Sequence, residues 1–375
     1  MDALPALRIG HLEIDPPFIL GGMGVRSTDH PLVAAVANCG MGGTIASVGL
    51  ISGECRGKAY IEASNKGLLE EIRRSRELSN GVIGVNIMVA LTNYDELVKT
   101  AVDAKVDYII SGAGLPLGLP ALAKDSSVCL IPIVSSARTA DIICKRWWNR
   151  DGCLPDAIVV EGALAGGHLG LSREEVSQWT EHTLGEVCAE VILVARKYEG
   201  ESGKHIPVVA AGGIFDGADI ARLLSIGVEG VQMATRFLAT DECSLPANCK
   251  QIIVDAGEDD MVIINSPVGL PGRAVRNELV ERILRGESFP ISCPYHCLRT
   301  CNPATVPFCI AAALISAHNG DDKNGLIMAG YNAYRIHEIV PVKQLVDQLV
   351  KETLTALSQN VASAAHTLSL PATSK

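Results

Sequence analysis

His168 stands in a run that reads Glu161-Gly-Ala-Leu-Ala-Gly-Gly-His-Leu-Gly170. A histidine titrates near neutrality, so it can take or give a proton at working pH. The glycines on both sides of it let backbone approach a ligand closely. Apolar Ala157 to Val160 precede the loop, as in a buried parallel strand. A reactive side chain just past the C-terminal end of such a strand sits where barrel and doubly wound enzymes place their chemistry. His168 is therefore the candidate catalytic residue. Two further loops, Ala-Ala-Gly-Gly-Ile (210–214) and Gln-Met-Ala-Thr (232–235), are small-residue turns that lead into helices. In a barrel such a pair commonly holds a phosphate, although the same glycines also serve a plain tight turn. Asn86 and Gln232 end apolar runs. Their amides offer the donors and acceptors that the pyrimidine edge of an isoalloxazine ring needs, or they satisfy loop backbone. Cys293, Cys297, Cys301 and Cys309 form C-x3-C-x3-C-x7-C. Four close thiols suit an iron–sulfur cluster or zinc, but the spacing is not C-x2-C, and the alternative is a set of free thiols in a helical cap.

The elements that must position these residues alternate along the chain. Apolar runs at 17–20, 40–45, 82–88, 106–110, 128–134, 157–160, 206–210 and 230–233 read as strands. Between them lie helical stretches over 32–38, 64–78 and 181–198, one opening at Asn93, one starting at Ser135-Ser136, and one capped by Asp216. Eight βα units in about 240 residues predict an α/β fold, a (β/α)8 TIM barrel with a helical cap or insert, rather than a doubly wound sheet. The predicted division is a barrel over 1–245, an insert carrying the cysteines over 246–324, and a C-terminal return over 325–375. The insert is expected to be helical near 275–286 and 306–318, with a strand-like piece at 325–330. A helix is expected over 340–362, and a disordered tail after 366.

Composition narrows the function. The 375 residues are 48% hydrophobic and 20% charged, with 36 glycines and a net charge of −10. An acidic chain is a poor partner for nucleic acid. No run approaches the roughly 18 apolar residues needed to span a bilayer, so no membrane role is expected. The start, Met-Asp-Ala-Leu-Pro, lacks the basic and apolar regions of a signal peptide, and a cytoplasmic enzyme is expected. The twelve cysteines then read as reduced thiols or metal ligands.

Six motifs occur in order: Gly-Gly-Met (21–23), Gly-Val-Asn-Ile-Met (84–88), Ser-Gly-Ala-Gly (111–114), Glu-Gly-x3-Gly-Gly-His-x-Gly (161–170), Ala-Ala-Gly-Gly-Ile (210–214) and Gln-x2-Thr-Arg-Phe (232–237). Together they resemble the FMN-dependent nitronate monooxygenase family, which includes flavin-type enoyl-ACP reductases. Gly272 to Asn277 extends the match weakly. The resemblance implies a barrel holding FMN. Gly21, Gly22 and Met23 would line the flavin and Asn86 would contact the ring. Glu161, Gly166, Gly167, Gly212, Gly213, Gln232, Met233, Ala234 and Thr235 would hold the ring edge and the phosphate. His168 would take a proton from the carbon beside a nitro group, or polarise the substrate. The implied reaction is oxidation of alkyl nitronates with oxygen. Its alternatives are an NAD(P)H-dependent enoyl-thioester reductase served by an acyl carrier protein, and a non-catalytic flavoprotein partner of a synthase. No G-x-G-x-x-G follows the first strand, so NAD(P)H would bind only transiently at the barrel mouth. A homodimer is compatible with this reading. Three positions depart from the family pattern: Glu161 where Gln is frequent, Leu164 where an acid is common, and Ala234 where Gly is common.

Overall fold

The computed structural model describes residues 3–51, 55–293 and 295–368. A short hairpin comes first, β1 (Leu7–Ile9) and β2 (Leu12–Ile14). The barrel strands follow as β3 (Phe18–Leu20), β4 (Gly43–Ala46), β5 (Ile83–Met88), β6 (Tyr108–Gly112), β7 (Cys129–Val134) and β8 (Ile158–Glu161). After β9 (Gly167–His168), which lies outside the barrel, β10 (Val208–Ala211) and β11 (Gly230–Met233) complete it. All eight barrel strands coincide with the apolar runs of the sequence. They pair in parallel in the order β3-β11-β10-β8-β7-β6-β5-β4. A parallel bridge between Ile19 and Gly42 joins the two ends, with Leu20 N donating to Gly42 O (2.8 Å) and Gly42 N to Phe18 O (2.9 Å). The sheet is thus a closed barrel rather than a doubly wound sheet.

Both faces of these strands are covered, which is why they read as continuous apolar runs. Inward residues such as Ile19, Ile110, Ile131, Val159 and Val209 pack on Leu7, Ile9 and Ile14 of the hairpin, which plugs the barrel from below. Outward residues such as Leu20, Ile109, Ile158 and Val208 pack with the helices. Tyr108 occupies the interior; its hydroxyl donates to Gly43 O (2.9 Å) and pairs with Thr44 Oγ1 (2.8 Å). Gly84 makes room for it, since a Cβ there would lie 2.2 Å from the ring.

The helices are α1 (His30–Asn38), α2 (Lys58–Leu78), α3 (Tyr94–Asp103), α4 (Leu119–Leu122), α5 (Ala137–Asp151), α6 (Arg173–Gln178), α7 (Thr183–Ser202), α8 (Gly217–Ser225) and α9 (Thr235–Leu238). Asp216 caps α8 as predicted, accepting from Ala218 N (3.0 Å) and Asp219 N (3.1 Å). Asn93 precedes α3, but its side chain makes no cap bond, and both its amide atoms are buried without a partner.

Past residue 245 come α10 (Ala247–Asp255), β12 (Met261–Asn265), β13 (Pro271–Val275), α11 (Glu278–Leu284) and α12 (Ile310–His318). This region is only partly helical. β12 and β13 form an antiparallel hairpin around the Ser266–Gly269 turn, and β13 pairs with β9. The reason is local: Val262-Ile263-Ile264 is a β-branched run followed by a glycine turn, where Gly269 takes φ +89°. Residues 325–330 form no strand, although Val275 N donates to Ile327 O (2.9 Å). α13 (Val342–Leu368) packs on α8, and Gly217 permits this approach because a Cβ there would lie 2.2 Å from Thr353 N. The end of the expected tail, 369–375, lies outside the described residues. Among the described residues no helix is long and apolar enough to cross a membrane.

Candidate active site

A cavity of about 250 Å³ opens at the C-terminal ends of the barrel strands. It is lined by Gly21, Gly22, Met23, Asn86, Glu161, Gly166, Gly167, His168, Gly212, Gly213, Gln232, Met233, Ala234 and Thr235. The structure therefore gathers every catalytic and cofactor candidate of the sequence into one space. Of the four clustered cysteines, Cys297 alone is among the lining residues.

The glycines act by what they leave out. A Cβ on Gly22 would lie 2.5 Å from the Cβ of Asn86, so glycine lets the amide at the end of β5 reach the cavity. Gly212 and Gly213 take φ of +87° and +82°, and a Cβ on either would meet the 162–164 turn at 2.8 Å. Gln232 emerges from β11 only 7% exposed, and its Oε1 is buried with no partner. An acceptor left unpaired in a polar recess costs stability unless something there donates to it.

The C-terminal return closes this side. Gly330 N donates to Thr235 Oγ1 (2.9 Å), Tyr331 N to Leu164 O (3.0 Å) and Asn332 Nδ2 to Gly213 O (2.7 Å). Sequence reading missed Asn332 because it joins residues 119 apart.

His168 is placed by two structures at once. Its loop leaves β8, and its backbone pairs with Gly272 of β13. Its Nε2 lies 2.7 Å from Ser266 Oγ in the β12–β13 turn. Burial lowers its pKa to about 4, so the ring is neutral at pH 7. Glu161, at the end of β8, shows part of its surface to the cavity but is otherwise enclosed by protein, and burial raises its carboxyl to about 7. The site thus disfavours both charges.

Two supports were not legible beforehand. Ser266 is one. The other is Arg273, 5% exposed, which donates to Ala163 O (2.7 Å) and Ala165 O (3.2 Å) and fixes the carbonyls of the His168 loop. Burial lowers its pKa to about 10. The run 261–275, with β-branched residues, a glycine turn and then Pro271–Val275, carried a hairpin signal that puts Ser266 in the turn and Arg273 on the second strand, but not their place beside the loop. Ile310, Ala311, Leu314 and Ile315 of α12 add an apolar patch to the cavity wall.

Known proteins resemble this chain in sequence and fold. The chain is 29% identical to a (3aS,4S,5R,7aS)-5-hydroxy-7a-methyl-1-oxo-octahydro-1H-indene-4-carboxyl-CoA dehydrogenase of Mycobacterium tuberculosis, over 73% of this chain and 67% of that protein. It is 28% identical to a probable nitronate monooxygenase of Staphylococcus saprophyticus, over 73% of this chain and 79% of that one. Among solved structures, FabK from Thermotoga maritima superposes with a TM-score of 0.72 at 28% identity, covering 92% of this chain and 95% of its own. The model of the nitronate monooxygenase family matches residues 6–352, a span that takes in the barrel, the His168 loop and the hairpin holding it; the chain belongs to that family and is an oxidoreductase.

Proposed function

We propose that the protein is an FMN-dependent oxidoreductase that oxidises alkyl nitronates with molecular oxygen. The observation that carries this reading is a neutral, buried histidine sharing one cavity with a glycine cradle and an unpaired amide acceptor. These residues fit FMN. Gln232 Oε1 lacks a donor, which a flavin ring N–H supplies, and the Asn86 amide offers both kinds of partner. The 212–213 and 232–235 turns are the expected seat for its phosphate. When bound, FMN supplies the electron acceptor that oxygen re-oxidises. None of the twelve cysteines is in a disulfide, which accords with a cytoplasmic setting.

The chain's own residues handle the substrate. In the tautomer that carries its proton on Nε2, His168 donates to Ser266 Oγ and Nδ1 is the basic atom. It takes the proton from the carbon beside the nitro group of a neutral nitroalkane, and the Ser266 oxygen then stabilises the imidazolium. Glu161, largely protonated below pH 7, offers an O–H donor where a carboxylate would repel the nitronate anion.

A second reading, reduction of an enoyl thioester by transiently bound NAD(P)H with an acyl carrier protein as carrier, is favoured by one observation. The apolar face of α12 gives the cavity a wall suited to an acyl chain. The named chemistry of the M. tuberculosis relative, a carboxyl-CoA dehydrogenase, points the same way.

One experiment separates the two. The purified protein is assayed for flavin, for oxygen uptake with a nitronate, and for NAD(P)H loss with a crotonyl thioester. Flavin with nitronate-dependent oxygen uptake, abolished in His168→Ala, supports the first reading. Thioester-dependent NAD(P)H loss without oxygen uptake replaces it with the second, and absence of flavin overturns both.

A further inference from the structure

The fold draws together the four cysteines of the insert, which the proposed reaction does not use. Cys297 lies within electrostatic reach of Cys293, Cys301 and Cys309, and Cys301 within reach of Cys293 and Cys309. The segment that carries them is clamped to the barrel. Leu298 bridges Leu91, Thr92 N donates to Cys297 O (3.1 Å), and Arg299 N donates to Ala90 O (3.0 Å), all on the loop after β5. Cys309 is the N-cap of α12, and Phe289 N donates to Pro307 O (2.9 Å) just before it. All four thiols are half-buried and none is in a disulfide. Leu298, Phe308 and Ile310, between and beside them, are buried. Thiols used only as small hydrophobes have no need to gather in this way.

The spacing discriminates between metals. In a tetrahedral zinc site the four sulfurs stand about 3.8 Å apart, as a Zn–S bond of about 2.3 Å requires. Among the described residues, the only set of three His, Cys, Asp or Glu ligand atoms lying within 4.8 Å of one another is Asp29, His30 and Glu71. No three of the four sulfurs therefore stand as close as a zinc site holds them. In a four-iron cluster each thiolate binds a different iron, so the sulfurs stand further apart.

We infer that Cys293, Cys297, Cys301 and Cys309 bind a [4Fe–4S] cluster set against the wall of the active-site cavity through Cys297. Its position follows from Cys297 belonging both to the thiol group and to the cavity lining.

The test uses the full chain, purified without oxygen and reconstituted with ferrous iron and sulfide. Iron, acid-labile sulfide, zinc and flavin are measured separately, and the dithionite-reduced protein is examined by electron paramagnetic resonance. The expected result is about four irons and about four sulfides per chain with a reduced-cluster signal. Cys301→Ser should lose most of the iron and keep its flavin, while Cys39→Ser and Cys153→Ser keep both. No iron and sulfide after reconstitution, zinc in their place, or unchanged iron in Cys301→Ser would overturn the inference. If Cys301→Ser does not fold, alkylation of the wild type decides: the loaded protein should protect these four thiols, and their full labelling would count against the cluster. Because flavin is read independently, a protein with cluster but no flavin sinks the flavin reading and leaves this one standing.

Discussion

His168 and Glu161 are moved in opposite directions by one cause, and this has a measurable signature. Between pH 6.5 and about 4 the unfolded chain takes up a proton on His168 that the folded chain refuses, so the histidine's contribution to stability is lost on acidification. Between pH 4.5 and about 7 the folded chain keeps a proton on Glu161 that the unfolded chain gives up, so the glutamate's contribution is lost as pH rises. In the overlap the two slopes oppose and nearly cancel. Glu161→Gln should leave stability climbing with pH, and His168→Gln should leave it falling, each by on the order of 3 kcal/mol across its window. Urea denaturation of the three proteins from pH 4.5 to 7 checks this; parallel pH profiles would refute it. Ser266 acts through the histidine. Ser266→Ala removes the hydroxyl that pairs with Nε2, and the loss of about 1 kcal/mol should lower kcat about fivefold. A positioning role predicts that KM changes little and that the acid limb of the pH–rate profile moves; an unchanged profile would reduce Ser266 to a turn residue.

At the scale of elements, the barrel strands were legible because each is an apolar run, several of them cut off by a glycine loop as after β3, β6, β8 and β10, and the strand ends and loops carry the candidate residues. Gly22 shows how tightly such a loop is set. Gly22→Ala places a methyl 2.5 Å from Asn86 Cβ, between the loop after β3 and strand β5. A cost of about 1–3 kcal/mol is expected, with loss of flavin retention, read by thermal melting and the flavin-to-protein absorbance ratio. Normal flavin content in this variant would argue that Asn86 does not contact the ring. What sequence did not reveal was the β9–β13 pairing. A two-residue strand has no periodicity, and its partner lies about a hundred positions away, so the pairing exists only once the insert has folded back. Asn93 misled for a related reason: a residue type that favours caps was placed correctly before α3, but its side chain is turned into the buried interior.

At the scale of the molecule, the C-terminal return holds shut the side of the barrel where the 232–235 turn lies. Gly330, Tyr331 and Asn332 each bond a different part of the 164–235 loop cluster, and Arg335 reaches Asp216 Oδ2 at 2.6 Å. Asn332→Ala should weaken FMN retention by about fivefold, equivalent to one hydrogen bond of about 1 kcal/mol, without moving the pH profile. Equilibrium dialysis of the flavin checks it, and unchanged retention would show that the return is merely packed there.

His168 itself is shared between two separately encoded pieces. The barrel supplies the loop on which it rides, and residues 261–275 supply the strand and the hydroxyl that aim it. Substitutions in that hairpin can therefore re-aim the histidine proposed to handle the proton while every residue proposed to seat the cofactor stays as it is. Within such a lineage, chemistry and cofactor loading are free to diverge independently, and the hairpin rather than the barrel is the place to look when two relatives with the same floor carry out different reactions.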